Sequence, residues 1–292
     1  MATKLNERAM LVGLHFSHWS AVRTDQKVTR EVVLSHKTTR KAGHWKKRLV
    51  AAICPEYENL FAVIREWRAE HNTWTLPWSE DAVRVILAEN WFDYSEVMRG
   101  HRAMFDTAVA TFVKAFPEIK ERARKELNGM FDDADYPSNI ASRFAAEIRV
   151  LPLPAAADFR VAINDEQAVE LRAQIEVDVQ RTAQDAMADT YRRLLSVTQR
   201  AAERLGDPEA VFRDSLVCNI RECIALLPRL NLLQDAQLDE LAAEVLREVA
   251  QYSGYAIRED DSLRSVVATS AREIAAKIKR AMSAYTQEKH NA

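Results

Sequence analysis

Apolar residues along this 292-residue chain recur mostly at three- and four-residue steps, the period of an amphipathic helix, and two islands alternate instead. The longest helical run follows Asn164, a good N-cap residue, and meets no Gly or Pro before Gly206. Along it Leu171, Ile175, Val179, Ala183, Ala186, Leu194 and Leu205 keep the spacing, with a slip near Tyr191. The pattern predicts one helix over about 164–205, roughly 60 Å long at 1.5 Å per residue.

Shorter helical stretches flank it. Asp25 opens one with Val28, Val32 and Val33 in phase, and Pro55 opens another carrying Tyr57, Leu60, Phe61, Ile64 and Trp67. Trp74, Pro77 and Trp78 then form a rigid aromatic loop, and Ser79 reads as the cap of a helix beginning EDAVRVIL. A helix is expected from Asn90 to about Phe116, a new one from Pro117 through Met130, and a short one from Pro137 to about Ile148. Three more are expected: one capped at Asp207-Pro208 and ending near Pro228, one capped by Asp235, and a last one from Asp260 or Asp261. The alternating islands are Met10–Phe16 and 149–163, where Phe159, Val161 and Ile163 stand out.

The expected fold is therefore mainly α: an elongated helical bundle of about nine helices with a very long helix and a small two- or three-stranded β-sheet. A sheet joining 10–16 to 149–163 would tie the two ends of the first half together. That argues for a single integrated body over 1–292, with the long-helix bundle at 164–292.

Composition sharpens this. Six Gly and eight Pro are too few for a fold of many short strands, and 48% apolar residues suffice for a substantial core. Cys54, Cys218 and Cys223 are too few and too scattered for a disulfide framework. The N-terminus carries charges where a signal peptide needs an apolar core, and no run approaches 18 apolar residues. A cytoplasmic protein is expected.

Charge changes the picture most. The first 50 residues carry eleven Lys and Arg against three Asp and Glu, although the whole chain has a net charge of −2. Within the basic N-terminal region 23–50, the densest segment is 37–48, where Gly43 separates two helices or marks a flexible loop. Lys37, Arg40, Lys41, Lys46, Lys47 and Arg48 surround Trp45, a mix suited to phosphates and one stacked base. A basic face neutralised by an acidic protein surface accounts for the same residues equally well.

Other chemistry is thinly represented. No GxxxxGK[ST] or GxGxxG occurs, and no GxSxG elbow. His15, His18, His36 and His44 form no metal-ligand spacing, and Asp132, Asp133 and Asp135 lack the Gly and Glu of a calcium loop. Trp67, Trp74, Trp78 and Trp91 suit a stacking platform less well than a buried plug. No cofactor, metal or catalytic residue is expected.

Several blocks resemble a family of bacteriophage and prophage helical proteins known only as a domain of unknown function. They are Thr75–Trp78, Phe131–Pro137, Leu151–Val161, Arg213–Asn219 and Leu227–Asn231. The resemblance implies a phage-type origin and a AAA+ ATPase as partner, and it carries over no functional residue. The function expected is a non-enzymatic interaction or assembly protein, oligomeric, acting as an adaptor. The alternative is a nucleic-acid-binding protein that uses the basic region, on DNA or RNA, without strong sequence specificity. No membrane partner is expected.

Overall fold

The computed structural model of the chain describes residues 2–79, 82–155 and 165–286. Among these it is mainly helical, with nine α-helices, a four-stranded sheet and a two-stranded sheet. The first half holds α1 (Ala2–Arg8), β1 (Ala9–Ser17), β2 (Val22–Thr24), α2 (Gln26–Ser35), β3 (Lys46–Arg48), α3 (Pro55–Trp74), β4 (Leu76–Pro77), β5 (Val83–Leu87), α4 (Trp91–Leu127) and β6 (Ala145–Pro152). The second half holds α5 (Asp165–Gly206), α6 (Ser215–Leu230), α7 (Ala236–Val245), α8 (Gly254–Glu259) and α9 (Asp261–Ser283). No described helix is long and apolar enough to cross a membrane.

Contacts group the chain into two compact units. One comprises Met1–Gly13, His71–Tyr94 and Arg149–Ala292, and the other Leu14–Glu70 and Ser95–Ile148.

The first unit is built on α5, the long helix of 42 residues that the unbroken spacing predicts. Asn164, its expected cap, lies outside the described residues. The helix buries Val179, Ala183, Met187, Tyr191, Leu194, Thr198 and Ala201 at three- and four-residue steps. These face α9, which buries Val267, Ala271, Ile274 and Ile278, and also α6. The small side chains of Ala183, Ala186 and Ala271 favour close approach of the two long helices. Truncating a fully buried leucine such as Leu194 to Ala should cost about 3 kcal/mol.

Asp235 joins three parts of this unit. One carboxylate oxygen caps α7 by accepting the Gln237 N–H at 2.9 Å, and the other accepts the hydroxyls of Tyr191 and Tyr285, each at 2.6 Å. Burial works to raise its pKa, but the two hydroxyls and the backbone N–H groups outweigh it and hold the carboxyl below its usual range.

The larger sheet has the order β4-β5-β1-β6. Antiparallel pairing sets Ala9 opposite Leu87, Leu11 opposite Val85 and Gly13 opposite Val83. The strand expected at 10–16 is thus present, with β6 beside it at 145–152. The alternating residues Phe159, Val161 and Ile163 fall outside the described residues.

Four local expectations are corrected. The helix expected after Ser79 is instead strand β5, because Val83, Val85 and Ile86 are β-branched and find open ladder partners in β1. Pro117 does not begin a new helix; α4 runs through it from Trp91 to Leu127, held by the buried flanking residues Phe112, Phe116 and Ile119. The segment expected as a helix over 137–148 forms only a 3-10 turn, Ala141–Arg143, and then β6. The helix expected from Pro208 begins later, at Ser215.

The second unit has an aromatic core. Phe16 lies edge-on to Trp67 at 5.1 Å, and Phe112 meets Phe116 and Phe144 at 5.8 and 5.5 Å. The Trp67 indole donates to the Met98 sulfur at 3.1 Å. In the first unit Trp74 is likewise buried, beneath the Arg229 guanidinium at 4.3 Å. These indoles serve the cores of their units.

Candidate nucleic-acid interface

The region 21–50 lies within the second unit and carries nine Lys and Arg against two Asp and Glu. It folds as a ββ ribbon around a helix. Strands β2 and β3 pair antiparallel, with Arg23 opposite Lys47 and Thr24 opposite Lys46. Between them α2 starts at Asp25, whose carboxylate accepts the N–H groups of Lys27 and Val28 at 2.9 and 3.0 Å.

Thr29, buried in the first turns of α2, organises the return of the chain. Its hydroxyl donates to the Asp25 carbonyl at 2.6 Å and accepts the Trp45 N–H at 3.0 Å. The Asp25 N–H in turn donates to the Trp45 carbonyl at 2.9 Å. The backbone of Trp45 is thereby held on both sides, while its side chain remains 47% exposed. Past the helix end Lys37 takes the left-handed conformation, φ 48°, and the chain makes a 3-10 turn over Arg40–Ala42. Gly43 is extended, so no second helix follows it; β3 does.

The seven residues of the candidate set part company here. Lys47 points inward: it is 8% exposed, with Nζ 2.8 Å from the Asp135 carboxylate, 3.5 Å from that of Asp25, and donating to the Met130 carbonyl at 2.7 Å. Burial works against its charge, but Asp135 and Asp25 outweigh it and raise the pKa above the usual lysine value. The Asp25 carboxyl is held below its usual range, first by the Val28 N–H and also by Lys47, against the opposing effect of burial. Lys47 is therefore a structural cation.

Lys37, Arg40, Lys41, Lys46 and Arg48 are all exposed. Among the described residues, no ion pair involves any of them. A pocket of about 400 Å³ opens in the same stretch, with walls that include Val32, Val33, Ala42 and Trp45 and with His36, Thr38 and His44 among its polar groups. Lys37, Lys41 and Lys46 are each adjacent in sequence to one of its lining residues.

Sequence periodicity did not reveal this pocket. Val32 and Val33 keep helical spacing and read as core, yet Val32 is 42% exposed and the neighbouring Leu34 is 71% exposed. The available signal was the run Val32-Val33-Leu34, which is wider than one buried stripe of so short a helix requires.

Elsewhere the acidic loop is occupied by cations. Asp133 lies 3.0 Å from Lys120 and 3.2 Å from Arg124, Asp135 serves Lys47 and Arg23, and Asp132 accepts the Ala134 N–H. Among the described residues no three His, Cys, Asp or Glu side chains could hold a metal ion together. Burial raises the Cys54 thiol pKa and pushes that of Cys223 up to about 11.

No protein-family model matches this chain, and neither a curated protein nor a solved structure shows a significant match to it.

Proposed function

We propose that this is a non-catalytic interaction protein whose 21–50 region grips an anionic partner. One observation carries the reading: five exposed cations, without carboxylate partners among the described residues, cluster within 37–48, the stretch that also supplies His36, Thr38, Ala42, His44 and Trp45 to a pocket with an aromatic wall. Exposed like charges repel one another, and a polyanion relieves that repulsion while releasing its own counterions. The resemblance to phage and prophage helical proteins supports placing the protein among assembly factors or adaptors, with a AAA+ ATPase as a further partner.

The test is retention on immobilised heparin and capture from lysate with and without nuclease. Arg40→Glu, Lys41→Glu, Lys46→Glu and Arg48→Glu should be combined, and Lys47 left intact because its reversal would gather three carboxylates inside the fold. The reading expects retention by the native chain and its loss in the folded variant. Equal retention of both would remove it.

Self-association is a second reading, favoured by the first turns of α5. Residues 168–178 include no fully buried side chain, and Val169 and Val177 are 64% and 61% exposed. A second copy covering this stripe would make the protein an oligomer. Light scattering that returns only the 33.3 kDa monomer at micromolar concentration would contradict it.

A further inference from the structure

The anionic-partner reading leaves the kind of partner open, and the pocket beside Trp45 narrows it. Cations alone would suit any acidic surface. What an acidic surface does not use is the apolar wall of Val32, Val33 and Ala42 closed by an indole. Its carboxylates would satisfy Lys37, Arg40 and Lys41 and leave that wall wet.

A nucleic-acid strand meets both requirements in every residue, since each nucleotide joins a flat, weakly polar ring to a phosphate. Polar groups also fit this ligand. The Thr38 hydroxyl and the imidazoles of His36 and His44 line the same pocket and can meet donors or acceptors on a base edge. A duplex presents its bases stacked and paired, so a base would have to be extruded before it could enter. Trp45 is already held by Thr29 and Asp25 through its backbone, so little ordering of the main chain opposes stacking.

We infer that the partner is single-stranded nucleic acid, with one unpaired base seated against Trp45 and the flanking phosphates on Lys37, Arg40, Lys41 and Lys46. This rests on the anionic-partner reading. The pocket contains no fixed pattern of donors that would select one base, so binding should tolerate sequence.

The experiment uses the full chain and three probes of equal length: oligothymidylate, an abasic oligodeoxynucleotide with the same phosphates, and a duplex. Fluorescence anisotropy should show oligothymidylate binding roughly 5- to 160-fold more tightly than the abasic strand, the range expected for one stacked base. Trp45→Ala should bring oligothymidylate down to the abasic level and leave the abasic affinity unchanged. Val32→Glu, at an exposed position on α2, should likewise remove the advantage of oligothymidylate over the abasic strand by placing a charge in the pocket, with both affinities lowered by the added carboxylate, and it guards against misfolding of the tryptophan variant. Equal affinity for the abasic strand, duplex binding as tight as the single strand, or indifference to both substitutions would overturn the base pocket and leave the anionic-partner reading standing. Failure of all three probes together with heparin to bind would overturn both.

Discussion

Lys47 Nζ stands 2.8 Å from the Asp135 carboxylate, so the most basic stretch of the chain spends one of its cations on its own interior. The consequence is a contrast between neighbours. Lys47→Met should leave Asp135 and Asp25 without their shared cation and destabilise the protein by about 3 kcal/mol. Lys46→Met, next door on the exposed side of the ribbon, should change stability by less than about 0.5 kcal/mol. Urea denaturation of the two variants measures both.

His71 supplies a pH dependence of known sign. It is buried, with Nδ1 2.9 Å from the Tyr94 hydroxyl. Burial first, and the nearby Arg84 charge second, lower its pKa to about 4. An unfolded histidine takes up a proton near 6.5, so between these values the unfolded state binds more protons. Stability should therefore be complete above about pH 6.5 and fall as pH drops towards 4, by roughly 3 kcal/mol over the window. His71→Asn keeps an amide near the Tyr94 hydroxyl without a titrating group. Its denaturation midpoint should vary much less than that of the native chain over the same window.

Thr29 links the fold of the basic region to its exposed face. Thr29→Val keeps the shape and removes the hydroxyl, leaving the Trp45 N–H without its acceptor. The cost expected is about 1–3 kcal/mol. Because every exposed cation is unchanged, affinity for the abasic strand should persist while the advantage of oligothymidylate shrinks. Anisotropy titrations of the variant provide the check.

The parts of the fold legible in the sequence are those where one local rule decides. Helix α5 was one, since 42 residues without an interior Gly or Pro keep a single apolar period. The caps at Asp25 and Asp235 were others, because each carboxylate serves N–H groups two or three residues away, whereas for the last helix the sequence left Asp260 and Asp261 open and Asp260 is the cap. Where a distant partner decides, local pattern failed. Residues 83–87 fit a short helix or a strand until β1 offers its edge, and α4 tolerates Pro117 because of the aromatic packing around it. The candidate site divides in the same way. Local composition marked the cations and Trp45, but the inward turn of Lys47 depends on Asp135, 88 positions further along.

The central claim is that Lys37, Arg40, Lys41, Lys46 and Arg48 form a face for a polyanion. Its most direct measurement is the affinity for oligothymidylate as a function of salt. Five cations each neutralising one phosphate of a single strand predict that log K falls against log salt concentration with a slope of about −3.5. Combined reversal of Arg40, Lys41, Lys46 and Arg48 should abolish that binding with the helical circular dichroism unchanged. Absence of binding at about 50 mM salt, where nonspecific phosphate contacts are strong, or an affinity indifferent to salt, would contradict the account.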